Sequence, residues 1–90
     1  MQYLNKTITL HQVVKDQPLA KIVVGDFIKE HNNYEHYYCL ITPLFNPNKI
    51  GEPKRGEVAI GKEGNECFYY IEGKDSRNMM KALSFTIEEN

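Results

Sequence analysis

The sequence predicts an α+β domain, an antiparallel sheet of four to five strands with a C-terminal helix packed on one face, in the order β-α-β-β-β-α. Three observations predict it. Several stretches alternate apolar and polar residues or are dense in β-branched and aromatic side chains, as strands are. One segment near residue 20 carries its apolar residues at helical spacing. A second such stripe closes the chain, at Met79, Met80, Leu83 and Ile87.

The first strand is expected within Tyr3–Val14. Leu4, Ile8 and Leu10 share one side there, and Thr7, Thr9 and His11 the other. Asp16-Gln17-Pro18 breaks it. Pro18–His31 reads as the first helix, because Ala20, Val23, Val24, Phe27 and Ile28 fall at i, i+3, i+4, i+7 and i+8. Asp16 would cap it, with Pro18 in its first turn. The rival reading is a strand, favoured by the β-branched Ile22-Val23-Val24 and by Gly25; Asn32-Asn33 is then a hairpin turn. Glu35–Phe45 is dense in aromatic and branched residues and reads as a buried strand that ends near Pro43.

Asn46–Gly56 holds two prolines, two glycines and two asparagines and reads as a loop. Glu57–Lys62 and Glu66–Glu72 form a hairpin around Glu63-Gly64-Asn65. Gly73 ends it, and Asp75 or Ser76 would cap the last helix. The expected core is Leu4, Ile8, Leu40, Val58, Ile60, Ile71, Met80 and Leu83. The last five elements follow the order of the double-stranded-RNA-binding domain, which this chain resembles in element order alone. The basic helix start that such a domain sets against phosphate is replaced here by Asp75-Ser76-Arg77-Asn78-Met79.

Ninety residues make one domain, 1–90, with one modest core. The formal net charge of −1 gives no global field for nucleic acid or anionic lipid. No apolar run has the length of a membrane span, and the first residues lack the pattern of a secretory signal. Cys39 and Cys67 both fall in expected strands. Two reduced, partly buried thiols fit this placement better than a disulfide and point to a cytoplasmic setting.

No catalytic, metal or cofactor signature is present, so a non-enzymatic role is expected. His31 and His36 are five apart, where a helical metal pair needs four, and two asparagines that favour a turn stand between them. Glu35, His36, Lys54 and Arg55 have the residue types of a small metal-independent ribonuclease, but no spacing that forces them together. The thiols sit in apolar contexts that would raise their pKa, unlike a nucleophile's. Gly61-Lys62-Glu63-Gly64 is a hairpin turn and lacks the strand-to-helix context of a phosphate loop.

The tyrosines carry the functional expectation. Four of the six form two doublets, Tyr37-Tyr38 and Tyr69-Tyr70, each within a strand. Each doublet turns one ring to either face of the sheet, and an exposed tyrosine is a common element of recognition surfaces. Which member faces outward depends on a register that the sequence does not fix. The expected binding residues are Tyr38, Tyr70, Phe45, Lys54 and Arg55. They would recognise a protein partner through a tyrosine-lined sheet face and the 46–56 loop, as in a phage or mobile-element inhibitor of a host protein. Single-stranded nucleic acid is the alternative ligand, disfavoured by the net charge and by Glu35, Glu66 and Glu72 beside the tyrosines. An unpaired sheet edge would also allow a homodimer.

Overall fold

The computed structural model describes residues 2–11, 18–46, 49–73 and 78–88. Among these residues there are eight strands: β1 (Thr7–His11), β2 (Pro18–His31), β3 (Tyr34–Asn46), β4 (Lys49–Ile50), β5 (Lys54–Gly61), β6 (Cys67–Ile71), β7 (Met80–Lys81) and β8 (Phe85–Glu88). Seven run antiparallel in the order β7-β6-β5-β3-β2-β1-β8, and β4 pairs with the end of β3 off that path.

Residues 82–84 alone join β7 to β8, which lie at opposite ends of this order. A flat sheet of these strands would hold its edges roughly 29 Å apart, at about 4.8 Å per gap. The chain from Lys81 to Phe85 can span at most about 14 Å. The sheet must therefore curl, and it forms a half-barrel. The crossing is hydrogen-bonded at both ends: Ala82 N–H donates to Cys67 O at 2.8 Å, and His11 N–H donates to Ser84 O at 2.9 Å. Ile8, Ile22, Val24, Tyr37, Ile41, Val58, Ile60 and Cys67 fill the concave side and are fully buried.

One end of the half-barrel is closed by the residues before β1. The Tyr3 ring is buried and meets Tyr37 edge to face, with ring centroids 6.4 Å apart. Tyr3 Oη donates to Gly61 O at 2.9 Å, and Tyr3 N–H donates to Tyr37 Oη at 3.1 Å. Asn5 turns the chain with a positive φ of 66°, and its N–H donates to Val24 O.

The fold is all-β, and this corrects the α+β expectation. No helix occurs among the described residues. Pro18–His31 is a strand in which Ala20, Ile22 and Val24 are buried while Lys21 and Val23 are exposed. Beyond Val24 its pairing with β3 slips twice, and the slips return Phe27 to the core side opposite Tyr37. A bulged strand thus places Ala20, Val24 and Phe27 inward, at spacings that imitate a helical stripe. Asn32 and Asn33 adopt φ of 50° and 67°, the left-handed geometry of a tight hairpin turn.

The expected C-terminal helix is replaced by β7, the crossing and β8. Leu83 and Met80, placed on its inner face, are 78% and 50% exposed. Ile87 does reach the core, but through the pairing of β8 with β1, opposite Ile8. A helix rises only about 1.5 Å per residue. An extended tail reaches across and completes the edge of β1, and Phe85-Thr86-Ile87 suits a strand. The expected caps Asp16, Asp75 and Ser76 lie outside the described residues. Without helices, the shared element order with the RNA-binding domain does not hold. The expected 46–56 loop is also partly sheet: Asn46 ends β3, Lys49–Ile50 form β4 and residues 54–56 open β5.

The core expectation holds in part. Ile8, Val58 and Ile60 are buried, and Ile71 is half-buried. Leu4 and Leu40 are exposed, because Tyr3 fills the end of the half-barrel and Cys39 and Ile41 take the inward positions of β3. Both cysteines are free and buried. Among the described residues no helix is long and apolar enough to cross a membrane.

Ile60→Ala should cost about 2–4 kcal/mol of unfolding free energy in urea, the usual range for emptying a core site. Leu40→Ala should stay within about 0.5 kcal/mol of wild type, as surface changes do. Equal losses in the two variants would contradict the inward and outward assignments of β3 and β5.

Candidate functional site

The convex face of β2, β3, β5 and β6 brings together three of the exposed large apolar side chains, Val23, Tyr38 and Leu40. Alternation along β3 turns Glu35, Tyr37, Cys39 and Ile41 inward, and so turns Tyr34, His36, Tyr38 and Leu40 outward. Tyr38 is 57% exposed while Tyr37 is fully buried. In the second doublet Tyr69 packs against the core, and Tyr70 faces outward, half-buried.

The ladder pairings place these residues relative to one another. Tyr38 stands opposite Glu57, and Glu57 stands opposite Tyr70. Tyr38 and Tyr70 therefore flank one carboxylate across three neighbouring strands. Leu40 stands between Val23 on β2 and Arg55 on β5. Val23 and Leu40 are each 45% exposed, and with Tyr38 they make a continuous apolar strip bordered by Arg55. Further along, Phe68 faces outward opposite Ala59 and meets Tyr34 edge to face, ring centroids 5.7 Å apart, with Lys81 Nζ 6.0 Å from its centroid.

Of the five residues singled out from the sequence, Tyr38, Tyr70 and Arg55 share this face. Lys54 pairs with Ile41, on the opposite alternation to Arg55, and is exposed at the rim. Phe45 lies within β3, and its side chain lies outside the described residues. Val23, Leu40 and Glu57 were not expected here, whereas Glu72 was expected beside the tyrosines. Val23 and Leu40 were hidden by their apolar character, which read as core.

A cavity of about 470 Å³ opens beside the tyrosines, lined by Tyr38, Gly56, Glu57, Tyr70, Ile71, Glu72 and Gly73. Gly56 lets β6 approach closely. A Cβ there would stand 2.1 Å from Tyr70 O and 3.0 Å from Ile41 Cδ1. Glu72 N–H donates to Arg55 O at 2.8 Å and fixes the end of the hairpin.

The residues that resembled a ribonuclease set are not assembled. Glu35 is buried on the concave side, whereas the neighbouring His36 faces outward. Arg55 pairs with Leu40, four positions along β3 from His36. Glu35 is held by main-chain and tyrosine donors: Gln2 N–H at 3.3 Å, and Tyr37 Oη. Burial pushes its carboxyl up, but donated hydrogen bonds, that of Tyr37 foremost, leave it below the usual value. Burial, helped by Lys29 and His31 and opposed by Glu57, lowers His36. Tyr34 is raised by its hydrogen bond to Glu66. No group of three or more histidine, cysteine or acidic side chains placed to hold a metal occurs among the described residues.

No protein-family model, curated protein or solved structure matches this chain.

The interior groups predict a pH profile. Burial pushes the Cys39 and Cys67 thiols up to about 12 from 9.0. Burial and the bond to Glu35 push Tyr37 up to about 12 from 10.0. The fold holds all three neutral. Their contribution to stability is full below the unfolded values and is lost as pH rises from there toward the folded ones. Glu35 and His36 are lowered, so theirs is present above 4.5 and 6.5 and lost as pH falls below those values. The urea midpoint should therefore peak between about pH 7 and 8 and fall on both sides. A midpoint that climbs above pH 9 would contradict it. Gly56→Ala should lower stability by about 1–3 kcal/mol, since the β6 main chain must shift. A neutral result in the same urea assay would show that β5 and β6 are not so close.

Proposed function

We propose that this domain is a non-enzymatic binding module that recognises a protein partner through the convex face of β2, β3, β5 and β6. The observation that carries the reading is the contiguous strip of Val23, Leu40 and Tyr38, bordered by Arg55. A small domain rarely leaves large apolar side chains side by side in water without a partner to cover them. The residue types fit as well. Tyrosine offers a large contact area with little rotamer entropy to lose, and arginine adds a forked donor. Covering such a face on a host protein would suffice for an inhibitory role. Two reduced, buried thiols suit a cytoplasmic setting.

Single-stranded nucleic acid is the weaker reading. The outward aromatic rings could stack on bases, but Glu57, Glu66 and Glu72 stand among them and would repel phosphate.

The test is affinity capture from a cytosolic extract followed by mass spectrometry. A protein retained by wild type and by Glu88→Gln, on β8 away from this face, but lost with Tyr38→Ala, would support the face. With that partner purified, Tyr38→Ala and Arg55→Ala should each weaken binding by about 1–3 kcal/mol and leave the melting temperature nearly unchanged. Full-strength binding by both variants would refute the reading. So would retention of nucleic acid instead, with affinity falling steeply between low and moderate salt.

A further inference from the structure

We infer that the partner fitting the strip of Val23, Leu40 and Tyr38 is a second copy of this chain, seated face to face about a two-fold axis that lies across β3. This rests on the protein-binding reading above and names the partner.

The strip belongs to two short rows that run across the sheet. In one, Val23, Leu40 and Arg55 stand side by side on β2, β3 and β5. In the other, Tyr38 stands opposite Glu57 on one side and beside Gly25 on the other, where a Cβ on the glycine would lie 3.2 Å from Tyr38 O. The rows are two residues apart along each strand, roughly 6.6 Å at about 3.3 Å per residue. A two-fold axis parallel to the rows and midway between them sets each row of one copy on the other row of its partner. Leu40 then meets the partner's Tyr38, and Tyr38 the partner's Leu40. Arg55 meets the partner's Glu57, and Glu57 the partner's Arg55. Val23 meets the partner's Gly25, where no side chain stands in its way. Among these six residues no like charges meet and no charge falls on an apolar side chain. The face is complementary to itself, as an isologous contact requires.

The curvature suits the same arrangement. β3 is the middle strand of the seven, so it forms the crest of the convex face. Two crests touch first at Leu40 and Tyr38, and the gap widens toward β5. Arginine and glutamate have the reach to bridge that wider gap, and each charge keeps access to water there, which avoids full desolvation. A formal net charge of −1 leaves little repulsion between whole copies. The patch is only three strands wide, at the small end of specific interfaces, under about 1,200 Å² in total. The dimer is therefore weak, with a dissociation constant on the order of 100 µM.

The test is sedimentation equilibrium of the intact domain from about 10 µM to about 1 mM, a range that brackets this constant. The mean mass should rise toward twice that of the monomer. Arg55→Glu sets a glutamate against the partner's Glu57, and Glu57→Arg sets an arginine against the partner's Arg55. Each variant alone should dimerise at least about tenfold more weakly. An equimolar mixture of the two should regain dimer close to the wild-type level, because opposite charges then meet in both pairs. That recovery also shows that both variants are folded. Leu40→Lys should remain monomeric, in protein whose circular dichroism matches wild type. A wild-type chain that stays monomeric throughout the range would overturn the inference. So would a dimer that Arg55→Glu and Leu40→Lys leave intact, or a mixture no more associated than its components. The two readings fail separately. If the chain stays monomeric while a captured protein of other sequence is lost with Tyr38→Ala, the self-pairing is wrong and the binding face stands. A monomeric chain whose captured protein is retained at full strength by Tyr38→Ala and Arg55→Ala removes both.

Discussion

The short crossing at residues 82–84 is the constraint on which the rest of the structure depends. It obliges the two ends of the sheet to lie close together, and the resulting curl gives the sheet an inside. A flat antiparallel sheet of this size would need a second layer, such as helices, to cover its apolar face. Here the sheet covers itself, and Ile8, Ile22, Val24, Ile41, Val58 and Ile60 pack against one another across the concave side. The same curl explains why a chain with two stretches at near-helical spacing has no use for them as helices.

Closure at the far end rests on a polar arrangement. Tyr3, Tyr37 and Glu35 form a chain of hydrogen bonds that also ties in Gln2 and Gly61. A buried carboxylate is costly unless its oxygens are satisfied. Here the donors come from the strand that carries it and from the segment preceding β1, so ordering that segment and burying the charge are one event.

What could be read from the sequence was local. The β5–β6 hairpin, the buried free thiols and the asparagine turn depend on neighbouring residues, and the residues announced them. The β2 strand was misread because bulges are set by tertiary pairing. Nothing in Val24-Gly25-Asp26-Phe27 states that the pairing will slip there. The tail was misread for a related reason. Met79, Met80, Leu83 and Ile87 form a stripe only if the chain coils, and the demand that it stay extended comes from β1, at the other end of the sequence. The outward side of the tyrosine doublets shows how fine the margin is. A three-residue turn at 63–65 would set Val58 opposite Tyr70; the turn actually begins at Lys62, Gly61 N–H bonds to Glu66 O, and Val58 faces Tyr69 instead. A slip of one residue inverts a whole strand. Glu57, Val23 and Leu40 became visible only once three strands were in place.

The pairing of β1 with β8 sets Thr7 opposite Glu88 and Leu10 opposite Phe85. These contacts bridge nearly the entire length of the chain, and such topologies fold slowly, because a large loop must close before the contacts form. On the ribosome, β1 emerges well before its outer partner strand. Through that interval β1 can hydrogen-bond to β2, but its other edge stays open. The Thr-Ile-Thr-Leu run along it is short, β-prone and uncharged. The domain is therefore most exposed to mispairing with a second nascent copy during synthesis, and the arrival of Phe85–Glu88 ends that exposure.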